Sequence, residues 1–133
     1  MDLADQIRQA QAYLDERFGL DALWVYGSEA QGTAGPGSDL DLGGLFARAP
    51  RAVDVLDAAA ELSQRLGREV DVVDLDRASP ILAMQVLRNG RLVLDASPPH
   101  RHDHFARTVN RYEDLKIIRR PMEQGLYRRF AGG

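Results

Sequence analysis

The chain has 133 residues, room for one domain with its own core and no need of a metal or disulfide staple. A formal net charge of −3 argues against nucleic-acid binding through global charge, and the absence of cysteine excludes thiol catalysis, disulfides and cysteine-bound zinc. The opening MDLADQIRQA lacks the basic start and apolar run of a secretory leader, and no stretch approaches the ~18 apolar residues of a membrane span, so a cytoplasmic location is expected.

Leu3, Ile7, Ala10, Leu14 and Phe18 recur at steps of three and four, the apolar face of a helix that Gly19 closes. Residues 22–26 (ALWVY) read as a buried strand, with Trp24 and Tyr26 as core residues. From Gly27 to Gly37 the chain is too rich in glycine to be regular throughout. Leu40, Leu42 and Phe46 predict a second strand with Asp39 and Asp41 on its opposite face, weakened or bulged at Gly43–Gly44. Residues 51–66 predict a helix with Leu56, Ala59, Ala60, Leu62 and Leu66 inward and Gly67 as terminator. EVDVVDL at 69–75 predicts a third strand.

Ser79 and Pro80 are a cap and first-turn pair for a helix ending at Asn89–Gly90. Its apolar residues, Ile81, Leu82, Met84, Val86 and Leu87, cover more than one face, as a doubly covered core helix or a part-interface would. RLVLD at 91–95 predicts a last strand, Ser97-Pro98-Pro99 a break, and 103–119 a last helix with Phe105, Val109, Tyr112 and Leu115 inward. Pro121 is expected to stop that helix, which divides the chain into a domain over 1–120 and a basic tail over 121–133. The order of elements implies an α/β (α+β) chain: a small mixed sheet flanked by helices, with a C-terminal helix.

Chemistry is concentrated in Tyr26-Gly27-Ser28, ten intervening residues, and Asp39-Leu40-Asp41. Aspartates two apart on a strand share a side, ~6.6 Å apart along the chain. They repel unless a cation stands between them, and Mg²⁺ suits such hard oxygen ligands together with substrate phosphates. Gly27 and Ser28 open a turn or short helix in which glycine admits a phosphate to the backbone N–H groups and serine adds a donor. Asp71, between Val70 and Val72, is costly within an apolar strand unless it is paired or bound to metal. Beside strand two it would complete a three-acid site able to hold two metals ~3.5–4 Å apart. Glu69, Asp74 and Asp76 are the other acids in reach along the chain. Gly-Ser-x10-Asp-x-Asp arises by chance about once in several hundred chains of this length, so the pattern is specific.

At these residues, YGSEAQGTAGPGSDLDL, the sequence resembles the DNA polymerase β-like nucleotidyltransferase superfamily, and within it the minimal nucleotidyltransferase (MNT) antitoxins. The likeness extends from the leading helix through EVDVVDL and SPILAMQVLRNGRLVLD to a closing helix with Tyr112 and Asp114. It implies a nucleotidyltransferase fold and a Mg²⁺-dependent transfer of AMP from ATP to a hydroxyl, a tyrosine, of a HEPN-domain ribonuclease toxin. The chain would then be the antitoxin of a type VII pair and form a hetero-oligomer with that toxin, with no membrane and no direct nucleic-acid contact. By motif match Gly27 and Ser28 would hold the triphosphate. Asp39, Asp41 and Asp71 would bind two Mg²⁺ ions and carry catalysis, Asp71 also as base towards the acceptor. Gly43-Gly44, where such proteins usually continue an apolar strand, and an extra Gly-Pro-Gly in the loop are departures from the pattern.

Two other readings compete. A small-molecule nucleotidyltransferase, such as one acting on aminoglycosides, generally needs a second domain for which this length leaves little room. A non-catalytic antitoxin that masks its partner would not require the Gly-Ser pair and three acids. Outside the motif, His100, His102 and His104 read as a solvated hinge rather than a metal site. Arg119, Arg120, Arg128 and Arg129 read equally as a phosphate- or partner-binding end and as a solvated tail.

Overall fold

The computed structural model describes the backbone of residues 1–35 and 37–131 and the side chains of 1–35 and 37–116. The arginines at 119, 120, 128 and 129 fall outside the described side chains.

Helix α1 (Leu3–Phe18) opens on Asp2, whose carboxylate accepts from the Asp5 N–H, and closes on Gly19. Strand β1 (Leu20–Tyr26) follows directly, and the four-residue helix α2 (Ser28–Gln31) starts the glycine-rich loop. Strand β2 (Leu40–Phe46), helix α3 (Ala52–Leu66), strand β3 (Val70–Asp74), helix α4 (Pro80–Asn89), strand β4 (Arg91–Asp95) and helix α5 (Pro98–Ala131) complete the order. The sheet runs β3-β2-β1-β4. Strands β2 and β4 are antiparallel to β1, while β3 is parallel to β2 and stands at the edge.

Alternation along the strands separates two cores. Leu40, Leu42 and Phe46 of β2 join Leu23 and Val25 of β1 against Ile7, Ala10 and Leu14 of α1 and Ala58, Leu62 and Leu66 of α3. On the opposite face Ala22, Trp24, Leu45 and Leu75 meet Val86, Leu82 and Leu87 of α4. That second face is the one on which Asp41 lies, two and four residues before Gly43 and Leu45.

Several expectations are corrected. Strand β2 is unbroken at Gly43–Gly44, which pair in register with Trp24 and Leu23; the irregularity lies around Asp21 instead. These glycines make room: a Cβ on Gly44 would stand 2.7 Å from the Phe46 ring, and one on Gly43 3.2 Å from Leu75. In α3 the inward stripe is Val55, Ala58, Leu62 and Leu66, whereas Leu56 is 71% exposed and Ala60 also faces out. Adjacent apolar residues at 55 and 56 satisfy the helical period almost equally, and contact with the sheet chooses Val55.

Helix α5 begins at Pro98, because proline lacks only an N–H that a first turn leaves unused, and its backbone continues past Pro121. Its buried face is polar: His104 and Thr108 are buried while Phe105 is half exposed. His104 Nε2 bonds the Leu75 carbonyl at 3.0 Å, and His100 is held between Asp21 and Asp76, 2.7 Å from each. Burial opposes a charge on His100, but the two aspartates outweigh it and raise its pKa. The histidines are therefore a docking device for α5 and not a hinge, and only His102 remains exposed.

The rotated face of α3 has a direct test. Leu62→Ala is expected to lower the unfolding free energy by about 2–5 kcal/mol, and Leu56→Ala to change it by no more than about 0.5 kcal/mol, both read by urea denaturation.

Candidate active site

The parallel pairing of β2 with β3 sets Asp41 opposite Asp71, and the antiparallel pairing of β1 with β2 sets Tyr26 opposite Asp41. Three side chains on neighbouring strands thus form a row across one end of the sheet. Asp41 is half-buried and Asp71 exposed, so the expectation that burial makes Asp71 costly does not hold. What singles out Asp71 is its register with Asp41. Burial raises the pKa of Asp41, and the charges of Asp71 and Asp39 and a hydrogen bond with Asp71 raise it further, against a smaller lowering by Arg68. Tyr26 is pushed up to about 12 by burial and by the charges of Asp41 and Asp71.

Asp39 precedes β2 by one residue and is exposed. The remaining acids lie elsewhere. Asp74 pairs in register with Gly44, three steps along the strand, and Asp76 is engaged by His100 and Arg107. Glu69 is exposed and offers its carbonyl to the Leu40 N–H.

Gly27 closes the site from the β1 side. Its backbone, at φ 70 and ψ −149, lies in a region essentially reserved for glycine. A Cβ there would stand 2.4 Å from Asp41 Oδ2. The turn therefore rests against the carboxylate, and α2 starts at the next residue with the leading N–H groups that every helix start leaves unpaired. Between the turn and β2 the loop is held by Arg68, which the sequence alone did not single out. Arg68 pairs with Glu29 of α2 at 2.8 Å, and its Nε donates to the Ser38 carbonyl at 3.2 Å.

Among the described residues no three His, Asp or Glu side chains gather closely enough to hold a metal by themselves. The chain offers a carboxylate pair, Asp41 and Asp71, with Asp39 alongside. That donor set suits Mg²⁺, which commonly takes one or two carboxylates and leaves its other positions to water and substrate phosphates. A glycine turn against a carboxylate pair is a place where a phosphate chain and a divalent cation can meet.

The family model described as polymerase beta, nucleotidyltransferase, matches residues 8–99, a span that contains the turn and all three aspartates. The chain belongs to the polymerase beta nucleotidyltransferase family. It is 31% identical over 101 residues to a protein adenylyltransferase, MntA, of Shewanella oneidensis, covering 75% of this nucleotidyltransferase and 71% of the relative. A crystal structure of a toxin–antitoxin with AMP-PNP contains a chain that superposes with a TM-score of 0.80 at 25% identity, covering 95% of this chain and 99% of that one. The same fold, at 21% identity and a TM-score of 0.77, recurs in the structure of a tri-AMPylated Shewanella oneidensis HEPN toxin in complex with MNT antitoxin, over 93% and 98% of the two chains. No helix among the described residues is long and apolar enough to cross a membrane.

Two outcomes test this geometry. An acid whose pKa is raised on folding holds a proton that the unfolded chain has released, so stability falls as pH rises from the ordinary carboxylate range (~4) through the raised value. Asp41→Asn removes that penalty. Its melting temperature is expected to exceed that of the unmodified chain at neutral pH, and the difference to vanish near pH ~3. Gly27→Ala is expected to cost about 1–3 kcal/mol of stability, measured by urea unfolding, because no side chain fits that backbone conformation without strain.

Proposed function

We propose that this nucleotidyltransferase moves AMP from ATP onto a tyrosine hydroxyl of a HEPN-type ribonuclease toxin, and so acts in the cytoplasm as the antitoxin of a type VII pair. The observation that carries the reading is the row of Asp41 and Asp71 on adjacent strands with Gly27 pressed against it. Support comes from the named activity of the MntA relative and from the AMP-PNP and tri-AMPylated toxin complexes whose antitoxin-like chains share the fold.

In this reading Gly27 and Ser28 receive the triphosphate, with the glycine letting it approach the first N–H groups of α2. Asp39, Asp41 and Asp71 would hold Mg²⁺, two ions in the full complex, and the metal would supply charge neutralisation at the phosphates. The tyrosine oxygen attacks the α-phosphorus in line, the bond to the bridging oxygen breaks, and pyrophosphate leaves. Asp71, exposed on the edge strand, accepts the hydroxyl proton. Positioning of the two reactants supplies a large share of the acceleration.

Incubation with labelled ATP, Mg²⁺ and the product of the adjacent gene is expected to label a tyrosine of that product and silence its ribonuclease activity. Asp39→Asn and Asp41→Asn are expected to reduce labelling to background while the circular dichroism spectrum is kept. Equal silencing by Asp39→Asn without ATP would establish masking in place of transfer, and label on a small amino alcohol would establish a small-molecule acceptor.

A further inference from the structure

The loop between Gly27 and Asp39 joins the two halves of the site, and it is rich in glycine, which leaves the backbone free to wander. One side chain fastens both of its ends. Arg68, at the junction of α3 and β3, lies largely buried, with 17% of its side chain exposed against 13% for Glu29. Its guanidinium pairs with Glu29 in the first turn of α2 at 2.8 Å. It donates through Nε and a second nitrogen to the Ser38 carbonyl, one residue before Asp39, and through Nη1 to Gln6 Oε1 of α1 at 3.1 Å. Glu29 follows the proposed triphosphate turn, and Ser38 precedes the acid pair. A planar fork with several fixed donors is the one side chain that can hold a carboxylate, a carbonyl and an amide in a single geometry.

We infer that Arg68 is a positioning residue for transfer: by clamping Glu29 and Ser38 it fixes the distance between the nucleotide-holding turn and the carboxylates, with no contact to the reacting atoms. The inference rests on the proposed nucleotidyl transfer for its kinetic consequence, but its structural content is independent of it. Arg68 also lies close enough to lower the pKa of Asp41 slightly, which agrees with a guanidinium at the rim of the site.

Arg68→Lys keeps the charge and loses the fork, and Glu29→Gln keeps the shape and weakens one arm by removing its charge. For Arg68→Lys we expect kcat for AMP transfer to fall about a hundredfold, the scale on which a misplacement of ~1 Å acts. KM for ATP should change far less, and Glu29→Gln should show the same pattern in weaker form. Hydrogen exchange is expected to quicken across 28–40 in Arg68→Lys while the strands β1, β2 and β4 keep their protection.

A variant with full kcat, or exchange that quickens throughout the chain and not in the loop, would overturn the clamp. A kcat loss that disappears on cooling to where the variant is as folded as the parent would overturn it too, since that is the mark of a merely structural residue. If the parent chain transfers nothing to any acceptor, the functional reading fails, and the exchange comparison still decides the clamp.

Discussion

Asp41 and Asp71 occupy the same step of a parallel strand pair, and much of the site follows from their mutual repulsion. Backbone hydrogen bonds fix the two strands in register, and burial, with the charges of Asp71 and Asp39 added to it, makes Asp41 hold its proton more tightly. The sheet tolerates this because the two acids sit at one end of it, with Asp71 open to water, while Leu45 and Val73 further along the same strands, and Leu75 just past β3, are apolar. A divalent cation converts the same repulsion into affinity. In the proposed reading, that electrostatic demand is what a phosphate chain and its metal would answer.

Much of this was legible along the chain because its signals are local. The α1 stripe, the Gly19 stop, the Ser79–Pro80 start of α4 and the buried β1 each depend on residues a few positions apart, and the structure holds them where the spacing puts them. The Gly-Ser and Asp-x-Asp motif is equally local, and its two parts meet because Tyr26 and Asp41 pair across an antiparallel ladder. Asp71 stands out in the sequence for an incomplete reason. Its neighbours suggested a buried charge, whereas it is exposed and marked out by its alignment with Asp41.

What could not be read was decided by contacts between distant segments. Val55 and Leu56 are nearly equivalent by period, and only the sheet separates them. Gly43 and Gly44 look like strand breakers until Leu75 and the Phe46 ring are seen to occupy the space a side chain would need. Arg68 is one of 17 basic residues in the sequence, and its partners Gln6, Glu29 and Ser38 lie 30 to 62 positions away. The polar stripe of His100, His104 and Thr108 resembles a solvated face by hydropathy, yet it is the face by which α5 docks, because His100 bonds Asp21 of β1 and Asp76, His104 Nε2 bonds the Leu75 carbonyl in the turn after β3, and Thr108 meets His104.

The imidazole of His100 touches carboxylates 79 and 24 residues earlier in the chain. Contacts of such separation close long loops, and each carries the entropic cost of that closure. During synthesis, Asp21 and Asp76 both leave the ribosome before the imidazole that bridges them, so the α5 side of the sheet cannot be finished until the C-terminal helix follows. The residues of the acid row are therefore all synthesised before the helix that braces the sheet.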